Sequence, residues 1–369
     1  MNTRTPRVFI AATRQNDGKT TVSLGLLAAL QKYYPRLGFI KPVGQRFVEI
    51  AEQKIDEDTV LMDSVYKLDC PLVDMSPIAV EPEFTRKYLE KGQDEELKSR
   101  IQQAFDRVAA GRDFVLCEGS GHAGVGAVFD LSNAQVARVL GSKVIIVSRG
   151  GIGKPIDEVT LNKALFEKEG VEIIGVIINK VIPEKLAYIT DFASRGLARK
   201  GLRLLGVLPY QPILTRPSLA SIYEELQAER INDGNGMHNL VSEVVIGAMG
   251  VENALRRFRS GTLAIVPGDR DDIFMALSAA LGRGECTGLA GLVLTEGCRP
   301  GPVALHAMAR MRFPVLLTHE DSYEVASRVH DLIVKTRPYD TEKIHVIRDL
   351  VAQYVDVPAL VKALGGNPS

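Results

Sequence analysis

A lysine preceded by glycine and followed by two threonines, Gly18-Lys19-Thr20-Thr21, closes the short polar loop Thr13-Arg14-Gln15-Asn16-Asp17. Consecutive amide groups curled at a helix start can hold a phosphate. The lysine adds a mobile positive charge to the outer phosphates, and the Thr20 hydroxyl can ligate Mg2+. The chemistry indicated is binding of a nucleoside triphosphate with its cation. The position six before the lysine, where the usual pattern has glycine, holds Thr13. An early glycine relieves crowding but carries no reacting group, so its loss weakens the pattern without removing chemistry. The competing reading is an ordinary strand-to-helix turn in which Gly18 relieves strain and Lys19 is solvated.

Further polar residues follow apolar runs elsewhere. In "GFIKPVGQ", Lys41 could meet a substrate carboxylate or a γ-phosphate, or be an exposed strand-end lysine. In "VLCEGSGH", Glu118 could hold Mg2+ directly or through water, or cap a helix. His122 has no second histidine at a metal spacing and fits a structural or substrate contact. "IDEDTVLM" offers Asp56 and Asp58 at a helix start, where acids are favoured anyway; Asp58 could add a second metal oxygen. In "GVIINKV", the donor and acceptor of Asn179 suit an adenine edge, which would make the nucleotide ATP, or else form a turn. Arg14 could reach a γ-phosphate, stabilise transferring charge across a dimer, or lie in solvent.

The elements that must position these groups are legible. "RVFIAAT", "RLGFIKPVG", "RDFVLCEGSG", "SKVIIVSRG", "VEIIGVIINKV" and "GLRLLGVLPY" read as strands, the first followed by an amphipathic helix from Thr20 to Lys32. Several are continuously apolar, the pattern of strands covered on both faces. Strand-helix alternation predicts an α/β fold with a doubly wound, mostly parallel sheet, ligands gathering at the carboxyl ends of its strands. The proline-rich break at "PYQPILTRPS" separates 1–215 from a linker at 216–234. A second, smaller α/β domain is expected over 235–350 and a helical tail over 351–369.

With 369 residues, two domains are the default; 45 Lys+Arg balance 45 Asp+Glu, against nucleic-acid or membrane-surface partners. No apolar run reaches a membrane-spanning length, and no signal peptide is evident, so a cytoplasmic location is expected. The four cysteines form no metal or disulfide spacing. "GECTG" around Cys286 matches G-x-C-x-G, but the helix comes before it and the strand after, the reverse of a nucleophile elbow.

Taken in order, "ATRQNDGKTT", "FIKPVGQ", "DTVLM", "CEGSGH", "INKV" and "GVLPY" resemble the dethiobiotin synthetase family of P-loop NTPase-type proteins and the related cobyrinic acid diamide synthases. The likeness covers residues 5 to about 212 and is greatest to the synthetase-like module at the N-terminus of long bacterial phosphate acetyltransferases. In that superfamily the early loop position is often threonine after a small residue, here Ala12-Thr13. The resemblance implies ATP held by Thr13, Arg14, Asn16, Asp17, Gly18, Lys19, Thr20 and Thr21, with Asn179 at the adenine. It implies Mg2+ at Thr20, Asp58 and Glu118, and Lys41 near the reacting phosphate. The loop interior and "EGSGH" depart from the family's usual residues, so the substrate does not transfer.

The second half, with "VSEVVIGAMGVENALRRF" and "LAIVPGDRDDI", looks like a DRTGG domain, a ligand-sensing module that dimerises in some proteins. Its namesake motif is here Asp269-Arg270-Asp271-Asp272, which also reads as a capped helix start with a local ion pair. No acetyltransferase catalytic segment follows in this sequence. Two functions result. One is a Mg-ATP-binding regulator, homodimeric or larger, that senses a small effector and acts on a partner enzyme. The other is an ATP-dependent ligase that activates a small carboxylate as an acyl phosphate, with Lys19, Lys41 and Glu118 as its catalytic groups.

Overall fold

Six apolar runs become one parallel sheet in the computed structural model, which describes residues 2–91, 95–285 and 288–367. The strands are β1 (Arg7–Ala12), β2 (Leu37–Ile40), β3 (Phe114–Glu118), β4 (Lys143–Arg149), β5 (Ile173–Val181) and β6 (Leu204–Pro209). Their order across the sheet is β6-β5-β4-β1-β3-β2. Strand β1 therefore lies between β3 and β4, where successive crossovers diverge to opposite sides. A crevice opens there at the carboxyl edge, the ligand position of doubly wound sheets. Register sets Ile10 beside Glu118 and Ala12 beside Val147, so Glu118 sits just under the loop that leaves β1.

That loop leads into helix α1 (Lys19–Leu30). The expected amphipathic helix is instead apolar nearly all round: Val22, Leu24, Leu26, Leu27 and Leu30 are all fully buried. A helix without a polar face must be covered on both sides. The sheet covers one side. A C-terminal helix, Thr341–Tyr354, covers the other so closely that a Cβ on Gly25 would lie 2.2 Å from Val351 Cγ2. Val355 then bridges Gly206, and Asp356 N donates to Leu205 O at 2.8 Å, tying the chain end to β6.

Two compact units result, Met1–Tyr210 with Thr336–Ser369, and Gln211–Lys335. The division expected from sequence is corrected in two places. Residues 336–350, assigned to the second domain, and the tail after them both belong with the first unit, because α1 needs an apolar cover. Residues 216–234 are no linker. They contain helix α2 (Leu219–Leu226), whose Leu219, Ile222 and Leu226 join the second unit's core, and the edge strand β7 (Glu229–Arg230).

The second unit continues with β8 (Glu243–Ile246), β9 (Thr262–Pro267), β10 (Gly291–Thr295) and β11 (Val315–Leu317). The order is β7-β11-β10-β9-β8, parallel except for the antiparallel edge β7. Apolar clusters on each face of this sheet close within the unit. Among the described residues no helix is long and apolar enough to cross a membrane.

Candidate functional site

The loop between β1 and α1 is fastened from below and from β5. Below it, the Thr13 hydroxyl lies 2.7 Å from Asp17 Oδ2 and 3.1 Å from Ser148 Oγ, and Arg14 N donates to the same Asp17 oxygen at 2.8 Å. Burial pushes the Asp17 carboxyl above its ordinary pKa, and the hydrogen bonds from Thr13 and Arg14 partly restore it. From β5, Asn179 Nδ2 donates to Asp17 O at 2.9 Å, and Lys180 Nζ donates to Asn16 O at 2.8 Å. Asn16 and Lys180 both adopt left-handed backbone, with φ of 65° and 59°. Gly18 also has positive φ, and a Cβ there would lie 2.1 Å from Asn179 Nδ2, so only glycine fits. No side chain caps α1, which leaves first-turn amide groups to meet an anion.

Behind the loop, the charged residues read from separate strand ends converge. Lys41 leaves β2 buried, its Nζ 2.5 Å from Asp58 Oδ2, 3.0 Å from Glu118 Oε1 and 3.9 Å from Asp56 Oδ1. Asp56 caps the helix Glu57–Tyr66 by accepting from Asp58 N at 2.9 Å, which leaves the Asp58 side chain for the site. Thr20 Oγ1 donates to Glu118 Oε1 at 3.0 Å. Glu118 is wholly buried, and its second oxygen, Oε2, has no hydrogen-bond partner. A buried carboxylate oxygen without a partner is costly, and a cation or its water would satisfy it.

The two lysines differ electrostatically. Burial first, and the nearby Lys41 charge second, lower Lys19 to a pKa of about 8, against the opposing pull of Glu118, Asp58 and Asp17. Burial also disfavours the Lys41 ammonium, but Asp58, Glu118 and Asp56 together hold it well above the ordinary lysine value. Lys19 is thus a cation short of an anion, which a phosphate would supply. Thr20, Asp58 and Glu118 are the residues that would hold Mg2+. Among the described residues no group of three His, Cys, Asp or Glu could hold a metal ion. The cation would need phosphate or water oxygens to complete its shell, which suits Mg2+.

Other expected residues take plainer positions. Asn179 is buried, and Lys180 N donates to its Oδ1 at 2.8 Å, so both ends of its amide hold the chain itself. Arg14 turns to Glu158 at 2.5 Å with over half its side chain in solvent. His122 is exposed, and its Nδ1 accepts from Gly124 N. Asn133 pins the turn after Glu118 through Ser120 N, Ser120 O and His122 O. Sequence reasoning missed Ser148, Lys180 and Asn133. The first two announce themselves only as polar residues ending apolar strands.

In the second unit the motif Asp269-Arg270-Asp271-Asp272 is occupied with the fold. Arg270 pairs with Asp272 at 2.9 Å and reaches Gly247 O and Met249 O at 3.3 Å. Asp271 accepts from Gly301 N at the start of the helix Pro302–Met308. Cys286 lies outside the described residues.

Comparison with known proteins bears on both units. Residues 6–218 match the AAA_26 model, an AAA domain, and residues 221–332 match the DRTGG domain. The chain is 31% identical over 373 residues to phosphate acetyltransferase of Pseudomonas putida KT2440, covering 97% of this chain and 52% of that protein. It is 30% identical over 377 residues to phosphate acetyltransferase of Pseudomonas aeruginosa PAO1, with the same coverage of each. The chain thus spans about half the length of the curated relatives it matches. The MinC:MinD cell division protein complex of Aquifex aeolicus is similar with a TM-score of 0.35 at 15% identity, covering 57% of this chain and 83% of that one. With its phosphate-loop strand, helix and buried acid in one matched segment, the chain belongs to the AAA_26 family, followed by a DRTGG domain and related to the N-terminal part of phosphate acetyltransferases.

Proposed function

We propose that the first unit binds Mg-ATP between Thr13 and Thr21 and that this binding regulates, with the DRTGG unit sensing a small effector. The observation that carries the reading is the buried pocket of charge behind the loop. Lys19 is depressed by burial and by the nearby Lys41 charge, and Glu118 has one oxygen bonded by Thr20 and the other without a partner. Phosphate would complete the first and a divalent cation the second. A homo-oligomer in the cytoplasm acting on a partner enzyme, of acyl-phosphate metabolism in keeping with its acetyltransferase relatives, is the setting this reading favours.

A second reading is favoured by one observation, the buried Lys41. A regulator needs only the loop lysine, whereas a second ammonium beside the site could neutralise charge on a transferring phosphoryl group. That reading is dethiobiotin synthetase-like activation of a carboxylate as its acyl phosphate. Calorimetry with ATP and Mg2+ tests the shared part. Phosphate release screened over short-chain dicarboxylates and amino acids separates the two. Tight binding with no turnover supports the regulator, and substrate-stimulated turnover lost in Lys19→Ala supports the ligase.

A further inference from the structure

Three carboxylates converge on one ammonium: Asp56, Asp58 and Glu118 on Lys41. Two of them, Asp58 and Glu118, are residues that would hold the cation. The ammonium touches both, at 2.5 and 3.0 Å, and shares Glu118 Oε1 with the Thr20 hydroxyl. Two of the three prospective metal donors, Asp58 and Glu118, thus face one nitrogen, and the third, Thr20, reaches the same Glu118 oxygen. A divalent ion wants oxygens at about 2.0–2.6 Å, depending on the metal. Even at the unpartnered Glu118 Oε2, a divalent ion that also takes Asp58 would lie close to the ammonium that holds the same two carboxylates, and like charges at that range repel strongly.

We propose that Lys41 is the resident cation of this seat, and that a divalent ion enters only by exchange, the ammonium withdrawing from Asp58 and Glu118 as the metal arrives. The inference rests on the nucleotide reading of the loop and adds an order of events to it. The charged groups facing the seat are Lys19 from the start of α1, Asp17 from the loop, Asp56 from the N-cap and Asp58 from the first turn of the helix Glu57–Tyr66, and Glu118 from β3. With the anion-binding loop empty, Lys19 and Lys41 repel each other and the metal alike, so the free protein resists the metal. A triphosphate arriving at the loop supplies negative charge for both the metal and the displaced ammonium. Metal and nucleotide are thus expected to enter together, and the free chain stays closed to metal alone.

Manganese serves as the probe, its binding followed by the loss of the free Mn2+ electron paramagnetic resonance signal. The full chain without nucleotide should bind Mn2+ weakly. Lys41→Met should bind it at least about tenfold more tightly, since one competing charge at contact range is removed. Lys41→Arg keeps the charge and should stay weak. Where Lys41→Met melts early because its carboxylates face one another, Mn2+ should raise its melting temperature more than the parent's. Equal Mn2+ affinity in the parent and Lys41→Met, or a Lys41→Met protein that Mn2+ neither binds nor stabilises, would overturn the exchange. Absence of nucleotide binding in the parent would instead overturn the loop reading, and the Mn2+ comparison would still decide the exchange.

Discussion

The Thr13 hydroxyl lies 2.7 Å from the Asp17 carboxylate, so the residue that replaces the expected glycine fastens the loop from beneath. Asp17 is 2% exposed, and its other loop partner is the Arg14 amide. Thr13→Val keeps the shape and removes the donor. It should destabilise the protein by about 1–3 kcal/mol by leaving a buried carboxylate short of a partner. Thermal or urea denaturation reads the effect; parent-like stability would show that the hydrogen bond carries little.

Nucleotide affinity should fall as pH rises through about 8, the value to which Lys19 is lowered. A bound phosphate favours the charged form, so binding above that pH must take up a proton. Calorimetry at pH 8.5 in buffers of different ionisation enthalpy should show this uptake, and Lys19→Ala should abolish it. The same substitution should weaken ATP by at least about 2 kcal/mol through loss of a charge-assisted contact. For stability the sign is the reverse of the usual lysine case. The unfolded lysine binds more protons than the folded one above pH 8, so the folded state loses a penalty as pH rises from there.

Replacing Glu118 by Gln removes one charge and keeps the shape. The variant should fold, because Asp58 still holds Lys41. Its nucleotide binding should depend less steeply on Mg2+ than the parent's. Titration of ATP affinity against Mg2+ concentration is the measurement, and a curve identical to the parent's would reduce Glu118 to a structural acid.

Gly25→Ala should destabilise by about 1–3 kcal/mol, since the new methyl group meets Val351 with no room between the helices. Val351→Ala in the same chain should recover part of the loss, a coupling that a double-mutant cycle measures. Additive effects would mean that the two helices shift apart at little cost.

A fragment of residues 211–335 should fold alone, because both apolar faces of its sheet are closed by its own helices. Circular dichroism with a cooperative melt checks this. On the proposed oligomeric reading it should also self-associate, and sedimentation as a strict monomer would count against that.

The local code was legible. Continuous apolar runs ending in polar residues gave six strands, and Gly18-Lys19-Thr20 marked the helix start, because both signals lie within a few neighbouring residues. What lies far apart in sequence needed the fold. Only the sheet order β1-β3-β2 could bring Lys41, Asp58 and Glu118 within hydrogen-bond reach across 77 residues. Only packing could reveal that the Asn179 amide braces the loop through Nδ2 while its Oδ1 accepts from Lys180 N. The C-terminal helix is the clearest case. The sequence made α1 apolar nearly all round, which required a cover, but apolar surface is recognised by area and not by partner. Which segment would supply that cover was settled when Thr341–Tyr354 returned to lie against Gly25.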